Sequence, residues 1–218
     1  MTVPLVKRPM KSASRLRTRM RESTKQAILD AAEFVYAARG LSGGRLEEIA
    51  DQAGVAVGTL YNHFSDRDAL VRALLDAKRT DLIRCIDVGI SVAGGQFTPQ
   101  LIALVGSVFE HYSQHQGWFT LLTQTEHGRH SAGAVAPASR ISPFQRDLVQ
   151  RARCVIELGQ RQRRLEKEDS RLLASLLVGM LRAAILDQLG RPRPLPPSEL
   201  ADKVVRIFLK GAARRHRP

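Results

Sequence analysis

No stretch of this chain alternates apolar and polar residues for long enough to suggest a strand, and aromatic residues make up only 5% of it. An all-β architecture is therefore not expected. Long apolar runs are lacking too: none approaches the roughly 20 residues a bilayer-spanning helix needs, so no membrane partner is expected. The basic N-terminus has no apolar signal-peptide core and contains Pro4 and Pro9. Cysteine is scarce, and Cys85 and Cys154 lie in apolar helical patterns rather than in a staple or metal-ligand spacing. They read as buried free thiols, and a cytoplasmic location follows as an expectation. Glycine-rich phosphate loops, nucleophile elbows and paired-carboxylate patterns are missing, so neither an enzyme nor a cofactor is expected.

Acid is the last shortage. Twenty-one Asp and Glu face 34 Lys and Arg, a net charge of +13, which points to a polyanionic partner. Lys7, Arg8, Lys11, Arg15, Arg17, Arg19 and Arg21 crowd the N-terminus, opposed only by Glu22. Residues 1–22 read as a basic, flexible arm able to reach along a groove or backbone. The 218 residues suffice for a real core in one large or two small domains.

What is present is helical periodicity. Ser23, with Gln26 in capping-box position, should open a first helix whose buried stripe is Ile28, Ala32, Val35 and Tyr36. Gly40 should end it with a left-handed cap, and Gly44 should cap the next helix. There Leu46, Ile49, Ala50 and Ala53 fall at i, i+3, i+4 and i+7, one apolar face. Gly54 supplies a positive φ for a tight turn, and Ala50 is small where two helices must cross. Val55, Leu60 and Phe64 mark the buried side of a second short helix, while Thr59, Asn62 and His63 offer hydrogen-bonding groups on the other. With Val57, Gly58 and Tyr61 beside them, LEEIADQAGVAVGTLYNHF reads as a helix–turn–helix DNA reader. Ser65 should cap a longer helix carrying Leu70, Leu74, Leu75, Leu82 and Ile86, which runs out before Gly94-Gly95.

Further helices are expected from about Pro99 to Gly117, from Trp118 to Gln124, from Ser142-Pro143 to Arg164, from Asp169 to Leu189 and from Ser198 to Ala213. Gly128 to Ile141 reads as a loop, and RPRPLPP as a stiff linker before the last helix.

The segment from Thr24 to Leu75, with AILDAAEFVYAARG followed by LEEIADQAGVAVGTLYNHFSDRDAL, resembles the tetracycline-repressor (TetR) family of bacterial transcription regulators. The resemblance implies an all-α fold: a three-helix helix–turn–helix DNA-binding domain over residues 23–68 and a helical regulatory and dimerisation domain over 69–218. It implies Thr59 and Tyr61 as DNA contacts, His63 on a phosphate, and Arg67 facing phosphate where the family usually has lysine. Departures are Gly44-Arg45 in place of a hydroxyl pair, Ala56 in place of a hydroxyl cap, and Val57 where lysine is frequent. Arg45 and Val57 join the DNA-facing set, Val57 as an apolar contact for a thymine methyl.

The implied function is a sequence-specific homodimeric repressor of a palindromic operator in double-stranded DNA, released by an apolar or amphipathic small molecule. Phe109, Tyr112, Trp118 and Phe119 are candidates for the effector pocket, with Arg153 available to an anionic group. Arg146, Arg151, Arg161, Arg163 and Arg164 otherwise read as a solvated basic face. Ser175, Gly179 and Ala183 form a small-residue ridge, flanked by Leu172, Leu176 and Met180 and matched on the last helix by Val204 and Phe208, for a two-fold interface. Two alternatives remain. One is a metal hydrolase using His111, His115, His127 and His130 with Glu110 and Glu126, for which no HExxH motif speaks. The other is a nonspecific nucleoid-type DNA binder. No metal is assigned.

Overall fold

A computed structural model describes residues 11–122 and 143–212. Every described regular element is helical: α1 (Lys11–Gly43), α2 (Leu46–Gln52), α3 (Val57–His63), α4 (Arg67–Val92), α5 (Phe97–Gln114), α6 (116–122), α7 (Pro143–Arg161), α8 (Ser170–Leu189) and α9 (Pro197–Ala212). The chain divides into two compact units at Leu74/Leu75, six residues later in sequence than the 68/69 boundary expected and inside α4. The expected loop over Gly128 to Ile141, and with it Glu126, His127 and His130, lies outside the described residues.

The first unit is built on α1, α2, α3 and the start of α4. Ile28, Ala32, Val35 and Tyr36 of α1 are all buried, as their spacing predicts, together with Ile49 and Ala50 of α2 and Leu60 of α3. The start of α1 differs from expectation. Ser23 lies inside a helix that begins at Lys11, and the Gln26 side chain donates to Asp30 rather than closing a capping box. No Gly or Pro stands between Lys11 and Arg39, and arginine, leucine, methionine and alanine favour helix there, so nothing stops it at a cap. Residues 11–22, expected as part of the arm, are therefore helical. Gly40 does interrupt the regular helix with a φ of 70°.

In the second unit α5 packs against α7, α8 and α9, while α8 also meets α7 and α9. Leu101, Leu104, Val105, Phe109, Ala152, Ile156, Ala174, Leu177 and Leu181 fill the centre. Asp169 caps α8 by accepting the Arg171 and Leu172 amides at 2.8 and 3.3 Å. The linker before α9 is fastened by the buried Gln188, whose Oε1 accepts the Leu195 amide at 2.7 Å. Gly117 does not stop α5, which ends at Gln114 with His115 as its cap.

Two expectations are corrected here. Cys85 and Cys154 are exposed, each just off the buried stripe of its helix. And α8 has a membrane span's length and composition, 20 residues with a mean hydropathy of 1.7, although only 33% of that window is buried in the chain. The cause is visible along the helix. One side serves the core through Ala174, Leu177 and Leu181, and the other leaves Leu172, Leu176 and Leu186 exposed at 55%, 54% and 40%. Apolar residues on both sides thus give the helix its high mean hydropathy.

Candidate nucleic-acid interface and regulatory cleft

The reader is assembled by a tight turn. Gly54, at φ 68°, reverses the chain after α2, its amide donating to Asp51 while the Val55 amide donates to the Ala50 carbonyl. A side chain at that φ would be strained, which is why glycine stands there. Leu60 and Phe64 plug α3 into the unit at 0% and 5% exposure. This leaves Gly58, Tyr61 and Asn62 facing out, with Val57, Thr59 and His63 half-exposed at the flanks of that face and Arg45 exposed at the start of α2. Seven of the eight expected DNA-facing residues thus lie at the surface of the reader.

Neither short helix has a side-chain cap. Arg45 precedes α2 and Ala56 precedes α3, both in extended conformation and without a capping bond. The cap of α2 is thus Arg45, not Gly44, which is buried against Tyr36 instead. The free amides at the start of α3 are donors suited to a phosphate oxygen. At α4 the cap is Asp66 rather than Ser65: its Oδ1 accepts the Ala69 amide at 2.7 Å, and Ser65 Oγ donates to its Oδ2 at 2.9 Å. The Ala69 amide, then the Ser65 hydroxyl, hold the Asp66 carboxyl below the usual carboxylate range.

Arg67 departs from its expected role. It is half-buried, Nη2 donates to the Leu41 and Gly44 carbonyls, and the guanidinium lies over the Tyr36 ring. Two donated bonds and a ring contact leave this side chain turned toward its own domain. The sequence carries no sign of it, because its partners are backbone carbonyls 23 and 26 residues away.

In the second unit the expected pocket residues are placed unevenly. A cleft of about 90 Å³ is lined by Leu82, Val108, Phe119, Leu122, Phe144, Leu148, Val178, Leu181, Ile185 and Leu186, with Gln145 and Arg182 adding polar groups. Of the expected set only Phe119 lines it. Phe109 and Trp118 are fully buried, and Tyr112 packs edge-to-face on Phe119. Trp118 stands against Phe119 and Phe144 at ring-centroid distances of 4.2 and 6.2 Å, so it backs the wall. Arg153 is spent on Glu157 at 2.7 Å and Ser170 at 3.2 Å. Sequence reasoning missed Leu82, Val178 and Ile185 because residues converging on a cleft from five helices carry the same pattern as core.

His111 is buried, and that burial, then the neighbouring His115 and Lys78, pushes its pKa down to about 4. It is therefore a neutral core histidine at pH 7. The His115 ring lies tilted beside it at a centroid distance of 4.5 Å, and among the described residues no group of three or more His, Cys, Asp or Glu is placed to hold a metal.

On the expected dimerisation face Leu172, Ser175, Leu176, Gly179 and Ala183 are exposed along one side of α8, with Ile207 exposed on α9. Met180 is half-buried. Val204 and Phe208 are not on that face: at 6% and 5% exposure they belong to the core of the unit, because their side of α9 packs onto α5.

Comparison with known proteins places the reader. Residues 28–74 match the model of the bacterial regulatory proteins, tetR family. The HTH-type transcriptional regulator SrpR of Pseudomonas putida is 39% identical over 61 residues, 28% of this chain and 29% of that protein. The chain therefore matches less than a third of that relative's length. Among solved structures, FadR of Bacillus subtilis in complex with stearoyl-CoA superposes with a TM-score of 0.70 at 20% identity, over 85% of this chain and 98% of that one. The ketosteroid regulator KstR2 of Mycobacterium tuberculosis gives 0.64 at 21%, over 88% and 95%. These two likenesses establish a shared fold. Residues 28–74 are thus similar to the N-terminal domain of the bacterial regulatory proteins of the tetR family.

Proposed function

We propose that this chain is a sequence-specific transcriptional repressor that binds a palindromic operator as a homodimer and is released by an apolar or amphipathic small molecule. The observation that carries the reading is the outward face of α3, where Gly58, Tyr61 and Asn62 stand free of the core while Leu60 anchors the helix from behind. Thr59, Tyr61 and Asn62 can address base edges, whereas Arg45, His63 and the amides opening α3 suit phosphates. A net charge of +13 favours capture of DNA at long range.

Dimerisation uses the open apolar side of α8 with Ile207 of α9, a patch that a lone chain would leave in water. Two copies of this helix pair form a four-helix two-fold interface, and two-fold symmetry in the protein demands it in the operator. The effector enters the cleft lined by Phe119, Phe144 and Leu148, with Arg182 and Gln145 positioned for its polar end. FadR and KstR2 share the fold, and the names under which they are known, with stearoyl-CoA and ketosteroid, place them among regulators linked to large apolar molecules.

Selection from random double-stranded DNA tests the reading. An inverted repeat with half-sites about 34–36 Å apart, or somewhat wider, is the expected product. Enrichment of no symmetric motif refutes it in favour of nonspecific binding.

A further inference from the structure

The turn between α1 and α2 has little of its own to hold it. Gly40 breaks the regular helix at φ 70°, so the carbonyls that follow lack normal helical partners. α2 opens on Arg45 without a side-chain cap. The Arg39–Glu48 ion pair between the two helices, at 2.7 Å, has one side chain 60% exposed, a setting in which such pairs contribute little.

Arg67 supplies what is missing. Its Nη2 donates to the Leu41 carbonyl and, at 2.5 Å, to the Gly44 carbonyl, and its guanidinium carbon lies 5.7 Å from the centroid of the Tyr36 ring. Gly44 is pressed onto that same ring, since a Cβ there would stand 2.8 Å from Tyr36 Cδ1. One planar cation thus joins the start of α4 to the end of α1 and to the residue before Arg45.

We propose that Arg67 is a positioning residue for DNA recognition, clasping the α1–α2 turn so that Arg45 and the start of α2 are presented in register with α3, and that it does not itself contact phosphate. The proposal rests on the DNA-binding reading above. Lysine could replace a phosphate-contacting arginine at this place, because an ammonium is a sufficient point charge. It could not replace the clasp, which uses planar, ring-facing donors directed at two carbonyls.

The test uses the full-length chain and the motif recovered by selection, with affinity measured between 50 and 200 mM salt for the wild type, Arg67→Lys, Arg67→Met and Arg45→Ala. The clasp predicts that both Arg67 variants lose about tenfold or more in affinity, the cost of ordering the turn on binding, while the contacts made once bound, that of Arg45 among them, and so the slope of log affinity against log salt, stay as in the wild type. Arg45→Ala should flatten that slope by about 0.9, one phosphate contact. Without DNA, amide exchange over residues 41–46 should accelerate in both Arg67 variants. Wild-type affinity in Arg67→Lys, a slope flattened by about 0.9 in Arg67→Met, or unchanged exchange overturns the proposal. If Arg67→Met fails to fold, Arg67→Lys decides. A wild type that selects no motif refutes DNA recognition itself, and with it the proposal, even where exchange still reveals the clasp.

Discussion

Gly58 separates a demand of the fold from a demand of the ligand. A Cβ at this position meets no atom within 4 Å, and its φ lies outside the positive region, so nothing inside the protein requires glycine. Gly58→Ala should therefore stabilise α3, by about 0.5–1 kcal/mol. If the backbone approaches DNA closely here, the same change should weaken operator binding by about tenfold, roughly 1.4 kcal/mol. Thermal unfolding and a binding titration on one preparation check both halves, and unaltered affinity would remove Gly58 from the interface. His111 makes a second prediction. Its pKa falls from 6.5 to about 4 in the folded chain, so above pH 6.5 neither state is protonated and its effect on stability is nil. Between those values the unfolded chain takes up a proton that the folded one refuses, and stability drops by about 2 kcal/mol by pH 5. Urea titrations at pH 7 and pH 5 should show a smaller drop for His111→Phe than for the wild type. Single residues were legible where a local rule governs them: Ile49, Ala50 and Leu60 from spacing, Gly54 from its turn. Asp66 and Ser65 compete for one cap, and only the geometry of the Ala69 amide decides between them.

At the scale of elements, α8 divides its surface between the core and an open face. Gly179 lies on that open face, with no atom within 4 Å of a built Cβ. Gly179→Leu should leave the single chain folded and still obstruct a close two-fold crossing of helices. Light scattering at micromolar concentration is expected to give twice the chain mass for the wild type and a shift toward the single chain for the variant. A wild type that stays monomeric sinks the assembly reading. Gly159 behaves in the opposite way, because a Cβ there would stand 2.7 Å from Phe97 Cδ2. Gly159→Ala should destabilise the second unit by about 1–3 kcal/mol through overpacking, read as a lowered urea midpoint. Helix identity was legible throughout, because the 3.6-residue period of buried positions is strong in α1, α4, α5 and α7. Helix ends were less so. The extension of α1 to Lys11 follows from the lack of a breaker rather than from any signal, and the assignment of Val204 and Phe208 to the core rather than the interface depends on which side of α9 meets α5.

For the whole molecule, α4 begins in one unit and ends in the other, and Leu82 in its second half lines the cleft. Effector binding can release DNA only through a difference in its affinity for the two arrangements of the protein, and coupling of about 1–3 kcal/mol would lower operator affinity about 5–150-fold. Trp118 is the chain's only tryptophan and backs the cleft through Phe119 and Phe144, so its fluorescence should change with a true effector. Phe144→Ala and Leu148→Ala should shift the effector's dissociation constant. If neither does, the site is elsewhere. The size of the cleft carries a consequence for time as well as for affinity. At about 90 Å³ it holds some three waters' volume, well short of the 300 Å³ or more that drug-sized ligands occupy. A molecule the size of an acyl chain or a steroid must wait for the walls to part. Its observed association rate should then level off at high concentration, at the rate of opening, instead of rising linearly. In a cell, the delay before derepression would be set by the breathing of the cleft's walls and not by the arrival of the inducer.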